Sequence, residues 1–363
     1  QKLREMFPID HFQSGGGTST NMLVNEVIAN MSEKYLGGEF GQNNLVNPYD
    51  HVNMSQSSND TFPGVVRITS YLQIDDLIHQ MLLLKDSLNK KAKEFGSTTK
   101  VGRTHLQDAL PMKLSDEFYA FERMIEKNIN HLGYVKTILA ELNFGATAIG
   151  SMQNIDKQIR LKLIREMGKE FGVKFKAPKN YFEITASSSD MAFASATLAN
   201  LANDIIKISN DLRLLSSGPR AGLAEISLPE VQAGSSIMPG KVNPSIAESM
   251  SMICFEVIGN NEALQQATRA AQLQLQAFGP TIGFKLFFSL QTLISGLKMY
   301  RAKCIEGIFA NTENIKKNYE NSFIYATEYS EKLGYQTVAK LVKKAYQKNL
   351  NLRELLEKER KKK

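Results

Sequence analysis

Cysteine is nearly absent: only Cys254 and Cys304 occur in 363 residues. They stand far apart and inside apolar helical patterns, which excludes a disulfide framework and a cysteine metal site and points to a reducing compartment, the cytoplasm. No stretch stays apolar and uncharged for ~18 residues, so no membrane-spanning helix is expected. The chain opens QKLREMFPID, without the basic region and apolar block of a secretory signal. Internal repeats and low-complexity linkers are missing as well. Proline is sparse, ten in all, and its gaps are informative: none falls between Pro63 and Pro111, or between Pro244 and Pro280, and stretches that long without a breaker suit long helices.

What is present is an ordinary globular balance, 42% hydrophobic and 22% charged residues, enough to bury a large core. Lysine and arginine number 44 against 37 aspartates and glutamates, a net charge of +7. Part of that excess sits in the terminal charge run ELLEKERKKK, Glu354 to Lys363, which reads as a solvated helix end. No basic patch is interleaved with aromatics, so nucleic acid is not an expected partner. An acidic small molecule is.

Apolar spacing predicts five long helices. After Pro63, residues Val65, Ile68, Leu72, Leu77, Met81, Leu84 and Leu88 recur at helical intervals. Phe121, Ile125, Ile129, Leu132, Val135 and Leu139 form a second stripe, with Ser115 or Asp116 as cap. Met191, Ala194, Leu198, Leu201, Ile205, Ile208, Leu212 and Leu215 alternate threes and fours without a miss, the pattern of a seam packed along its whole length. A fourth helix is expected from Pro244 to Gly279 and a fifth from Phe284 to Ala310. The segment VKFKAPKNYFEIT reads as a short hairpin or loop. The expected fold is all-α: a central long-helix bundle, residues 57–312, between the remainder of an N-terminal domain, 1–56, and a small C-terminal helical domain, 313–363.

Four polar stretches are each expected just before a helix. Thr18 to Asn21 follows three glycines, a hinge-like entrance. Ser57, Ser58, Asn59 and Asp60 are all cap-type residues. Thr104 and His105 precede the second long helix, and histidine is the side chain best placed to change charge near neutral pH. The richest stretch is GSSIMPGKVNP, Gly234 to Pro244. There Asn243 and Pro244, or Ser245 with Glu248 as a capping box, open a helix whose first amides and positive dipole end face the loop, with the charge of Lys241 beside them. Such a place suits an anion. Four entrances of this kind suit a compact molecule with two carboxylates, provided antiparallel packing within or between subunits brings them together.

GSSIMPGKVNP resembles the signature of the fumarase/aspartase superfamily, and GRTHLQDA, SGPRAGL and QSSND match its other blocks in the right order over nearly the full chain. Within that family the chain is most similar to the aspartate ammonia-lyase branch, on GTSTNM (Gly17 to Met22), HLQDA, QAGSSIMP and QLQL (Gln272 to Leu275). Asn47, Pro48 and Tyr49 stand where fumarases tend to have His-Pro-Asn. Gly240 points the other way, to fumarase, because aspartases more often carry alanine there. Fumarate hydratase is the alternative activity, and a non-catalytic bundle a third reading, which retention of the site residues opposes.

The resemblance implies reversible elimination of ammonia from L-aspartate to give fumarate through an aci-carboxylate. It implies Ser235 as general base, with Gly234, Ser236, Ile237 and Met238 forming a mobile loop around it. Lys241 and Asn243 would hold the carboxylate that takes up charge, Thr104 and His105 would contact substrate carboxylate, and Glu248 would orient the imidazole. Thr18, Ser57, Ser58 and Asn59 would bind the amino group and second carboxylate. It implies no metal site and no required cofactor, admits activation by a divalent cation, and implies a homotetramer whose sites draw loops from three subunits. It also implies that a piece of the family's length lies outside this sequence at each end.

Overall fold

The computed structural model describes residues 7–13, 15–234 and 237–361. Helices carry the chain: α1 (Thr18–Tyr35), α2 (Ser58–Phe95), α3 (Leu114–Leu139), α4 (Lys157–Phe171), α5 (Tyr181–Ala186), α6 (Ser189–Leu215), α7 (Ser245–Arg269), α8 (Gly279–Lys303), α9 (Thr312–Asn321), α10 (Tyr325–Leu333), α11 (Tyr335–Lys348) and α12 (Leu352–Arg360). Two small antiparallel ribbons complete it, β1 (Thr99–Thr104) with β2 (Gln107–Lys113), and β3 (Ile226–Ser227) with β4 (Phe309–Ala310). The fold is all-α.

The five long helices are α2, α3, α6, α7 and α8, of 38, 26, 27, 25 and 25 residues. All eight seam residues of α6 are buried, from Met191 to Leu215. Its 27 residues span about 40 Å at 1.5 Å each. Burying one such leucine contributes about 1.5–3 kcal/mol, so the seam holds the helix where propensity alone would not.

The chain divides into two compact units, residues 1–81, 127–205 and 251–297 in one, and 82–126, 206–250 and 298–363 in the other. Each long helix contributes residues to both. These borders fall inside helices, a different partition from the segments 1–56, 57–312 and 313–363 drawn at changes of helix length. The first unit has a core of Ile68, Leu142, Phe144, Ile164 and Phe175. Buried Arg67 reaches Asp190 Oδ2 at 2.7 Å and donates to the carbonyls of Ile138 and Glu141, which pairs its charge inside that unit. In the second unit Leu333, Val338, Ala345, Leu352 and Leu356 bind α10, α11 and α12 together.

Several local expectations are corrected. Helix α2 starts at Ser58, upstream of Pro63. Proline removes the amide that would bond the Asn59 carbonyl, and buried Asn143 supplies a substitute donor, Nδ2 at 3.2 Å. Helix α7 stops at Arg269, and residues 270–278 form a turn closed by Gln272 pairing with Leu275. Helix α8 begins at Gly279 with Pro280 in its first turn, where no partner amide is needed, and ends at Lys303. In VKFKAPKNYFEIT, Lys176 pairs with Glu141, and Asn180 then caps the short helix α5 through the amides of Phe182 and Glu183.

Candidate active site

The entrance of α1 is built on Gly15, Gly16 and Gly17, whose φ values of 77, 66 and 99° lie in the left-handed region that glycine adopts without strain. At Gly17 a side chain would also stand 2.5 Å from the Phe62 ring, so the loop lies directly on α2. The Gly16 amide donates to the Ala277 carbonyl at 3.2 Å. That bond places the 272–277 turn, which carries QLQL, against the same entrance. Thr18 is exposed and its hydroxyl donates to the Gly15 carbonyl at 2.7 Å. A packed entrance replaces the expected hinge.

At α2 the cap residue is Ser57: its hydroxyl accepts the Asn59 amide at 3.2 Å, and its own amide donates back to Asp60 Oδ1 at 3.2 Å. This reciprocal pair fixes the entrance as a capping box does. Thr61 then joins the two entrances, its hydroxyl reaching Asn21 Oδ1 at 3.2 Å. Asn59 is turned partly away from the role expected of it, since Nδ2 donates to the Ala148 carbonyl at 2.8 Å.

The segment that receives this bond was given no chemistry by the sequence. It is a tight excursion in which Gly145, Thr147, Gly150, Met152 and Asn154 all have positive φ. Such a concentration of left-handed backbone, three of the five residues not glycine, persists only where surrounding bonds enforce it. Together with the α2 entrance it borders an open cavity of about 470 Å³ lined by Ser55, Gln56, Ser57, Thr147, Ala148, Ile149, Ser151, Gln153 and Asn154. Among the described residues, none that lines it is charged. Hydroxyls and amides converge on a space large enough for a small dicarboxylate, and Ser57 is the residue common to this cavity and to the sequence reading.

Asp60 stands behind the cavity, 1% exposed. Burial pushes its carboxyl up from 3.8 to about 6, against the lowering effect of the amides of Thr147, Ser57, Gly145 and Thr61.

In the second unit Thr104 and His105 sit on a hairpin rather than before a helix. Thr104 pairs with Gln107 across a two-residue turn formed by His105 and Leu106, with φ of 54 and 60°. His105 is exposed at its tip. The strands are anchored by buried charge: Glu225, fully buried, binds Lys100 at 3.0 Å and Arg103 at 2.8 Å, and Lys100 also binds Glu117 at 2.7 Å. Two cations and two carboxylates thus balance beside the turn that presents the histidine.

The Gly234 to Pro244 stretch lies in the same unit. Its ends approach closely, a side chain at Gly234 falling 2.7 Å from the Lys241 carbonyl. The Lys241 amide donates to the Met238 carbonyl at 3.3 Å, and Gly240 has φ of 78°. Ile237, Met238 and Lys241 are exposed. Ser235 and Ser236 lie outside the described residues. Helix α7 is opened by Asn243, whose carbonyl accepts the Ser245 amide at 2.8 Å, and by Pro244, whose carbonyl accepts the Glu248 amide at 3.1 Å. The Glu248 carboxylate does not turn back to complete a capping box: Oε1 takes Arg213 of α6 at 3.4 Å.

The structure therefore brings Thr18, Ser57, Ser58 and Asn59 together in one unit, and holds Thr104, His105, Lys241, Asn243 and Glu248 in the other. No helix of the described residues is long and apolar enough to cross a membrane.

A family model described as lyase matches residues 1–259. The aspartate ammonia-lyase of Helicobacter pylori is 42% identical over 344 residues, 95% of this chain and 74% of that protein. The class II fumarate hydratase of Wigglesworthia glossinidia brevipalpis is 41% identical over 357 residues, 97% of this chain and 76% of that protein. Among solved structures, the fumarate lyase:delta crystallin from Brucella melitensis bound to cobalt superposes with a TM-score of 0.94 at 40% identity, covering 97% of this chain and 76% of that one. The chain belongs to this lyase family, the fumarase/aspartase superfamily.

Proposed function

We propose that the protein eliminates ammonia from L-aspartate, reversibly, to give fumarate. The observation that carries this reading is the contact at Gly16. Gly16, the residue before GTSTNM, bonds Ala277, two residues after QLQL, and a side chain at Gly16 would stand 3.4 Å from Leu275, so two of the segments by which the chain resembles ammonia-lyases lie side by side there. The identities of 42% and 41% do not choose between the two activities.

In this reading Ser235 removes the proton beside the substrate carboxylate. A serine alkoxide is a usable base only where its charge is stabilised, about 1.4 kcal/mol for each tenfold in its ionisation. Lys241 and the first amides of α7 supply that stabilisation and, with Asn243, hold the carboxylate on which charge develops. Thr104 and His105 bind substrate carboxylate from the hairpin turn. Arg213 engages Glu248 Oε1, so Oε2 is the oxygen that would orient the imidazole. Thr18, Ser57 and Ser58 receive the other end of the substrate, and Asn59 does so through Oδ1, its Nδ2 being bound to Ala148. The leaving group is already an ammonium, so no strong acid is needed. No cofactor takes part in these steps. The working form is a homotetramer, in which loops of different copies complete each site.

A second reading, hydration of fumarate to malate, is favoured by one residue, Gly240: its φ of 78° suits glycine, where the ammonia-lyase branch more often carries alanine. Replacing Ser235 with alanine tests the proposed base. Fumarate formation should disappear while the oligomer persists in sizing and light scattering. Full activity in that variant would remove Ser235 from the mechanism.

A further inference from the structure

We propose that Asp60 is a positioning residue of the substrate cavity, holding the Ser57 entrance and the Thr147 wall in fixed register. The proposal rests on the reading of that cavity as part of a dicarboxylate site. Each carboxylate oxygen serves a different wall: Oδ1 accepts the Ser57 amide at 3.2 Å and Oδ2 accepts the Thr147 amide at 2.8 Å. Both donors belong to residues that line the cavity. Two neighbouring ties, Asn59 Nδ2 to the Ala148 carbonyl and Asn143 Nδ2 to the Asn59 carbonyl, join the same segments but run from side-chain amides to backbone carbonyls. Only Asp60 gathers backbone amides from both sides at once among these ties.

The arrangement has a chemical logic. A carboxylate at the cavity surface would repel the carboxylates of the substrate. Set one layer back, with its charge taken by backbone amides, it organises the walls without presenting that charge. It acts on substrate through Ser57, whose hydroxyl position follows from the backbone that Asp60 pins.

Asparagine at this position keeps the shape but replaces one acceptor oxygen by an NH2 group. One of the two amides then faces a donor, and the longer bond, to Ser57, is the one that gives way. Kinetics of Asp60→Asn, Ser57→Ala and the double variant, followed by fumarate absorbance with aspartate and malate in parallel, test this. Asp60→Asn is expected to lower kcat/KM about tenfold, chiefly through KM, in a protein that still melts cooperatively. The double variant is expected to be at most about twofold worse than the poorer single one, because both changes act through the same hydroxyl. Unchanged KM in Asp60→Asn, or a double loss equal to the product of the single losses, would overturn the proposal. Should Asp60→Asn fail to fold, Asp60→Glu retains a capping-box reach to Ser57 but displaces Thr147, and it should raise KM likewise; an unchanged KM overturns the proposal there too. If neither substrate is turned over by the unmodified protein, the activity reading fails separately. Calorimetric titration with fumarate then decides about Asp60: weaker binding to Asp60→Asn supports its role, and equal or absent binding to both proteins rejects it.

Discussion

Replacing Glu225 with glutamine should destabilise the second unit by about 3 kcal/mol, the lower end of what breaking a buried ion pair costs. Glu225 is fully buried, and its two partners are nearly so, with side-chain exposures of 3% for Lys100 and 15% for Arg103. The neutral amide leaves two cations facing one carboxylate. Lys100 keeps Glu117 at 2.7 Å. Among the described residues Arg103 retains the carbonyl of Val101, at 3.2 Å on its own strand, and that residual pairing is why the lower end applies. Urea titration followed by helical circular dichroism measures the loss. The double variant Glu225→Gln with Arg103→Gln restores the charge balance and should recover at least half of it. A loss below about 1 kcal/mol for Glu225→Gln, or no recovery in the double variant, would refute the idea that this cluster anchors the hairpin of Thr104 and His105.

Three further outcomes are expected. Leu201→Ala, at a fully buried seam position, should cost about 2–5 kcal/mol in the same titration, because a cavity is left in a helix packed along its length. Stability should fall as pH rises from about 4 to about 6.5 by about 3 kcal/mol on account of Asp60, and this component should vanish in Asp60→Asn. The sign follows from burial, which raises the folded carboxyl from 3.8 to about 6: its contribution is complete below the unfolded value and is lost as pH passes the folded one. Gly234→Val should slow turnover without unfolding the protein, because a side chain there meets the Lys241 carbonyl at 2.7 Å; unchanged turnover would show that the approach of the loop ends is not needed.

The helices that position the site were legible because each buries a stripe at helical spacing, and the α6 seam is buried residue for residue. The hairpin was not, because its turn is His105-Leu106, with neither glycine nor asparagine to mark the left-handed positions it occupies. The continuation of α2 through Pro63 is not legible in the sequence, because the donor that makes up for proline's missing amide, Asn143, lies 84 residues away from Asn59. The break after Arg269 is not legible in the sequence because Gln, Leu and Ala are helix formers; the Gly16 to Ala277 bond that holds this turn is a tertiary contact. At the cavity, Ser57 was visible as a cap, whereas Thr147, Ser151 and Asn154 are small polar residues whose role follows only from the backbone path between Gly145 and Asn154. Asp60 carried one signal, its place three residues after Ser57.

Whether aspartate is the substrate is tested by supplying aspartate and malate in parallel to the same preparation while fumarate is followed in the ultraviolet. Fumarate should form from aspartate with kcat/KM at least about a hundredfold above that for malate. A preference for malate would contradict it and give the site to hydration instead.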